Sequence, residues 1–325
     1  MEMVAIETCN DVTANLWKRL CLAACALFMA VPAAAGASAV TGSRPGQLPI
    51  MDAETGQVLT SQELAARETD TDVLFLGEFH DNASIHETEA ALLQDLYKQK
   101  QGKLALSLEM AERDTQPVLD SYLAGKIRED EYLAAGRPWP NYRDAYRPMV
   151  TFARTQKIPV IAANIPRKAA AVYAHTGSLR EAEETWGAYM PQTVYPGSLA
   201  YEREFTGTMM RLRGQAMPIS QDTIPRLFAA QCLKDNTMAE SIDRYARAHG
   251  GHLVFHVTGA VHCEGWLGTV EQLHQRNPGL TIRVITAVRY DPSRLSRSEA
   301  AALYRDKGDY LIRVPETMAD TGSRG

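Results

Sequence analysis

Six apolar runs limit what this chain can fold into: residues 73–77, 104–108, 158–163, 253–258, 282–288 and 310–314. Each is five to seven residues long, is rich in Leu, Val and Ile, and alternates little between apolar and polar positions. A half-exposed strand alternates, whereas a strand buried on both faces reads as a continuous run. Between the runs the periodicity is helical, as over residues 82–98, where Ile85, Glu89, Leu92, Leu93 and Leu96 recur at helical spacing. Buried strands separated by helices predict an α/β fold with a mainly parallel sheet and crossover helices.

The runs are unevenly spaced. About 50 residues separate the second from the third and about 90 the third from the fourth, more than one crossover helix needs. The extra sequence reads as helical over 114–124, 142–156, 166–175, 199–213 and 224–249. The prediction is therefore a sheet domain over 71–315 with a helical insert subdomain at roughly 112–157 and 166–250. Ahead of it, residues 40–70 read as a linker, a hairpin turning at Glu54-Thr55-Gly56, and a short helix capped by Ser61. Residues 316–325 read as a flexible tail.

The N-terminus has a different character. Lys18 and Arg19 precede an uncharged apolar run of 16 residues, Leu20 to Ala35, which exits into small residues. These are the parts of a secretory signal peptide over residues 1–39, cleaved after Ala35 or Ala39. The run is short for a retained anchor, which needs about 20 apolar residues. Leu22-Ala23-Ala24-Cys25 also matches the short pattern for lipid attachment to an exported cysteine, although the apolar run continues past Cys25. The expected location is the periplasm or the outer membrane. Cleavage leaves Cys232 and Cys263, which can pair in an oxidising compartment or serve as small buried hydrophobes. The net charge of −5 gives no electrostatic reason to expect a nucleic-acid partner.

In open α/β sheets ligands bind beyond the carboxyl ends of the strands. Those ends carry Gly77-Glu78-Phe79-His80, then Glu109, then Asn164-Ile165-Pro166-Arg167, then Gly259-Ala260-Val261-His262. Two Gly-x-x-His units and two carboxylates suit a divalent metal held by His80, Glu109 and His262. They equally suit acid–base chemistry by Glu78, His80, Glu109 and His262. The glycines are read as sharp turns off the strands. Arg167 is a candidate to pair with Glu78 or Glu109 or to hold an anionic ligand. His86 reads as site-facing or surface, and Asp235 and Met238 as a packing or interhelical contact, with a site role as the lesser alternative. No Gly-x-Ser-x-Gly, Walker loop, dinucleotide fingerprint or His-Glu-x-x-His occurs.

The string Phe75-Leu76-Gly77-Glu78-Phe79-His80-Asp81-Asn82 resembles the opening motif of the ChaN-like family. Ser107-Leu108-Glu109-Met110, Gln116-Pro117-Val118-Leu119-Asp120, Trp139-Pro140-Asn141-Tyr142 with Tyr146-Arg147-Pro148, Ala163-Asn164-Ile165-Pro166-Arg167, Asp235-Asn236-Thr237-Met238-Ala239 and Gly259-Ala260-Val261-His262 follow in the family's order. That family sits in the Tiki-like superfamily, with TraB-type and erythromycin-esterase-like proteins. The resemblance implies an α/β sheet with a helical subdomain, and an envelope protein that binds haem and acts in haem or iron uptake. It also implies a homodimer around haem and an outer-membrane haem receptor as partner. In the wider superfamily the matching positions His80, Glu109 and His262 are proposed to form a metal-dependent hydrolytic site. The chain has Ile85-His86 where many relatives have two adjacent His, and a weak lipid-attachment pattern where relatives are often lipoproteins.

Haem needs an apolar slot, an axial ligand and partners for its propionates. Eight of the 13 tyrosines lie between Tyr122 and Tyr201. Tyr142, Tyr146, Tyr195 and Tyr201 are the candidate haem contacts, with Asn164 and Arg167 as polar partners.

Overall fold

The computed structural model describes residues 46–213 and 221–315. The expected signal segment, Cys25, the start of the linker and the tail at 316–325 lie outside the described residues.

The fold is α/β, built on an eight-stranded sheet in the order β2-β1-β8-β7-β3-β6-β4-β5. Its strands are β1 (Ile50–Asp52), β2 (Val58–Leu59), β3 (Val73–Glu78), β4 (Leu104–Glu112), β5 (Val160–Asn164), β6 (Leu253–Gly259), β7 (Ile282–Tyr290) and β8 (Tyr310–Pro315). All six apolar runs are strands, and the six are mutually parallel. The hairpin turning at residues 54–56 also forms, and it continues the sheet by pairing β1 antiparallel to β8.

Every residue of β3, β4 and β6 is buried, as continuous apolar runs require. Alternate residues face different layers. Leu74 and Leu76 of β3 join Leu106, Leu108 and Phe255 against the helices Ala83–Gln99 and Arg147–Gln156. Val73 and Phe75 join Val254 and Val284 against Ala239 and Ile242 of the long helix Ile224–Ala248, and Val270 and Leu273 of Thr269–Arg276.

Several local expectations shift. The helix at Ser61–Arg67 is capped by Thr60, not Ser61: Thr60 Oγ1 accepts from Glu63 N, and Thr60 N donates to Glu63 Oε2 at 2.8 Å. This is a capping box. Ser61 Oγ instead donates to Asp95 Oδ2 at 2.7 Å. The helix expected over 142–156 is two, Tyr142–Ala145 and Arg147–Gln156. Pro148 has no N–H to continue the first helix, but it fits the first turn of the second. Helices at Glu129–Ala135, Leu179–Trp186, Thr269–Arg276 and Arg297–Tyr304 were not anticipated. Cys232 and Cys263 do not pair: both are buried free thiols.

Two features shape the carboxyl edge of the sheet. The β4–β5 register slips between Leu108 and Glu112: Leu108 faces Ala162, but Glu112 faces Asn164. This bulge lets Glu109 and Glu112 serve different neighbours. At the outer side of β5, the Gln116 amide donates to Val160 O at 2.8 Å and accepts from Ala162 N at 2.7 Å.

Candidate functional site

After β5 the chain returns through the long helix and inserts β6 between β3 and β4. In register, Glu78 lies beside Gly259 and Leu108 beside Val257. His80, Glu109 and His262 therefore emerge at one edge, although 182 residues separate the two histidines. The glycines of the two Gly-x-x-His units act through space, not through turning, since neither has a positive φ. A Cβ on Gly77 would stand 2.5 Å from Cys263 Sγ and 2.9 Å from Ala260 Cα. One on Gly259 would stand 2.9 Å from His80 Nε2. Each glycine makes room for the other unit's loop.

His262 is a buried clamp. Its Nδ1 lies 2.6 Å from Asp235 Oδ1 and its Nε2 3.2 Å from Glu109 Oε1. Burial works against its charge, but Glu109 and Asp235 outweigh that and push its pKa up to about 10. Both ring nitrogens then donate. Asp235 is fully buried and also accepts from Tyr201 OH and Thr269 Oγ1, each at 2.8 Å. Glu109 Oε2 accepts from Thr258 Oγ1 and Gly259 N, each at 2.7 Å. Burial would raise the Glu109 carboxyl, yet His262 holds it well below the usual range.

His80 is held from behind. Its Nδ1 lies 2.6 Å from Glu78 Oε1, which also accepts from Tyr146 OH at 2.6 Å. Trp139 meets the His80 ring edge-on at 4.7 Å, and the Asn141 amide donates to His80 O. Burial would raise Glu78, but His80 and His86 hold it ionised. An ionised carboxylate only accepts, so Nδ1 carries the hydrogen. Burial works against charge on the ring, but Glu78 and Glu109 raise its pKa, and it is in the neutral form that Nε2 presents a lone pair away from Glu78. Among the described residues Nε2 has no hydrogen-bond partner. His86 is buried behind this pair, with Nδ1 3.0 Å from Glu78 Oε2 and 3.2 Å from Glu89 Oε2.

His80, Glu109, Tyr201 and His262 line a cleft of ≈ 670 Å³. Trp139, Phe205, Met209, Leu227 and Val261 form its apolar walls, and Arg203, Arg211, Lys234 and Lys307 bring positive charge beside the carboxylates of Glu204, Glu264 and Asp306. The other sequence candidates lie elsewhere. Tyr146 supports Glu78 beneath His80. Tyr142 packs edge-on against Tyr132, which stacks on Tyr122. Tyr195 is half-buried, with the Arg276 guanidinium 5.1 Å over its ring. Asn164 is tied to Glu109 O and Ile165 N. Arg167 pairs with Glu112 at 2.9 Å, not with Glu78 or Glu109, because the bulge turns Glu112 towards it. The metal set His80, Glu109 and His262 does not bring three donor atoms within 4.8 Å of one another. Asp235 draws His262 one way, while Glu78 holds His80 the other.

Sequence reasoning did not assign Asp235, Gln231 or Glu89 to the site. A signal was present for the first two: four residues apart, they share one helix face, and both reach His262.

The family described as haem-binding uptake, Tiki superfamily, ChaN, matches residues 64–273. Among solved structures, ChaN of Campylobacter jejuni, described with cofacial haem binding, superposes with a TM-score of 0.64 at 16% identity. The match covers 83% of this chain and 97% of that one. The type III effector HopBA1 matches at a TM-score of 0.41 and 11% identity, over 79% of this chain and 94% of that one. The erythromycin esterase EreC in its open conformation matches at 0.41 and 12% identity, over 75% and 77%. No curated protein matches the sequence. Order of motifs, sheet topology and family match agree: the chain belongs to the haem-binding uptake family ChaN of the Tiki superfamily.

Proposed function

We propose that this protein binds haem in the ≈ 670 Å³ cleft and acts in haem or iron acquisition in the cell envelope. The volume falls within the ~300–1,000 Å³ typical of cofactor sites. The single observation that carries the reading is His80 Nε2. It faces an apolar-walled cleft, and Glu78 fixes the ring so that the deprotonated Nε2 presents its lone pair there. An imidazole whose other nitrogen donates to a carboxylate is a well-oriented axial ligand. Trp139, Phe205, Met209, Leu227 and Val261 suit the macrocycle, and Arg203, Arg211 and Lys234 suit the propionates. When bound, haem supplies the redox-active iron that such a protein would carry.

The tyrosines suit the role less well. Tyr201 lines the cleft, but burial and Asp235 push its phenol well up, so it stays a protonated donor to Asp235. Export rests on the basic-apolar-small pattern of residues 18–39. A homodimer and an outer-membrane haem receptor complete the proposal, as the family's role in uptake suggests. Haemin titrated into the purified protein should give a saturable Soret shift, and His80→Ala should weaken it by at least about tenfold. No saturable shift near stoichiometric haemin overturns the reading.

One observation favours hydrolysis as a second reading: two carboxylate-backed imidazoles at one cleft are equipped for proton transfer. Ester and peptide hydrolysis that His80→Ala leaves unchanged rejects it.

A further inference from the structure

Beneath the cleft lies a second group of side chains that shares only Glu78 with the haem reading. Glu78, His86 and Glu89 are all buried, and each offers one donor atom within 4.8 Å of the others. His86 Nε2 lies 3.2 Å from His80 O. A carbonyl oxygen only accepts, so Nε2 carries the hydrogen and Nδ1 is left facing two carboxylates. Two carboxylates and a lone pair share a buried space only with protons or a cation among them, and burial with Glu78 pushes the Glu89 carboxyl well up, towards its protonated form.

A proton on Nδ1 answers this only in part. It reaches Glu89 Oε2 at 3.2 Å. Glu78 Oε2 lies 3.0 Å from the same nitrogen but off the hydrogen-bonding direction, and Glu89 Oε1 has no partner; both atoms are buried. A cation lying between the three side chains serves all of them. Separations of 3.0 and 3.2 Å between donor atoms are those of neighbouring ligands about 2.1 Å from one ion. The His86 Nε2–H donated to a backbone carbonyl is the usual outer contact of a metal-bound imidazole.

The group also has its own way to solvent. A cavity of ≈ 320 Å³, separate from the cleft, is lined by His86, Gln47, Gln94, Glu87 and Asp144. Glu87 and Asp144 are exposed, so its mouth is acidic and draws cations in.

We propose that Glu78, His86 and Glu89 form a buried site for a divalent first-row metal ion such as Zn²⁺ or Mn²⁺, reached through this second cavity. One imidazole nitrogen and two carboxylate oxygens suit such an ion. Uptake exchanges the metal for the protons on His86 Nδ1 and on the Glu89 carboxyl, which leave to solvent. Through Glu78 the ion lies one side chain away from His80, so metal occupancy tunes the orientation and basicity of the cleft's imidazole.

The test needs no haem, so its failure leaves the haem reading standing. Protein stripped with a chelator and dialysed is titrated with Zn²⁺ and with Mn²⁺, with metal content and proton release both measured. About one equivalent should bind, releasing about two protons. His86→Gln and Glu89→Gln should weaken binding at least about tenfold, while His262→Gln should leave it in place. Mn²⁺ broadening of the His86 ring resonances in the wild type reports the site without any variant. No uptake by the wild type, or uptake unaffected by Glu89→Gln but lost in His262→Gln, overturns the proposal.

Discussion

The Asp235–His262–Glu109 clamp makes a quantitative prediction for Asp235→Asn. A pKa raised from 6.5 to about 10 on His262 corresponds to roughly 5 kcal/mol of preference for the imidazolium in the fold. Two carboxylates supply it, so the share lost with Asp235 is about 2–3 kcal/mol. The amide also cannot accept from both Tyr201 and Thr269, which adds about 1 kcal/mol. Glu109's depressed pKa reflects the same contact with His262 and is not added again. The folded pKa is raised, so this stability is fully present below the unfolded value of about 6.5 and lost as pH rises through about 10. Urea denaturation should show Asp235→Asn destabilised by about 3 kcal/mol near pH 6 and by about 1 kcal/mol near pH 10. The His262 ring resonance should titrate at lower pH in the variant. A loss under about 0.5 kcal/mol near pH 6, or the same loss at both pH values, would refute the clamp.

Two further tests probe the loops around it. Gly77→Ala should cost about 1–3 kcal/mol in thermal or chemical unfolding, since its Cβ meets Cys263 Sγ and Ala260 Cα. Adding Cys263→Ala should recover only part of this, because the backbone at Ala260 remains in the way. Cys232 is 5% exposed with its thiol pushed up to about 12 by burial, and Cys263 is fully buried. Both should resist a thiol reagent in the native protein and react in denaturant; native reaction within minutes contradicts their placement.

The sheet was legible because burial on both faces leaves a mark in the sequence. Runs such as Leu253–Gly259 have no polar side to show, and all six were found. The convergence of Gly77, His80, Glu109, Gly259 and His262 followed from strand ends alone. What the sequence concealed was direction. Arg167 follows β5 as expected, but a bulge in the neighbouring strand decided that Glu112 and not Glu109 would meet it. The tyrosines between Tyr122 and Tyr201 looked like ligands because aromatic side chains mark clefts and cores alike. In Tyr122, Tyr132 and Tyr142 they mark the core. Asp235 carried only a weak signal, because its partner is 27 residues away in sequence and on another element.

The Gln116 amide at β5 bears on how the protein behaves before folding is complete. A sheet edge with unpaired peptide groups is a template for a strand from another molecule. A carboxamide presents one donor and one acceptor, as a peptide does, so Gln116 ends the ladder at Val160 and Ala162 where a foreign strand would begin. The stopper belongs to the helix Gln116–Leu123 and is in place only once that helix has docked. Strand addition at this edge is therefore a hazard of the partly assembled chain more than of the finished one.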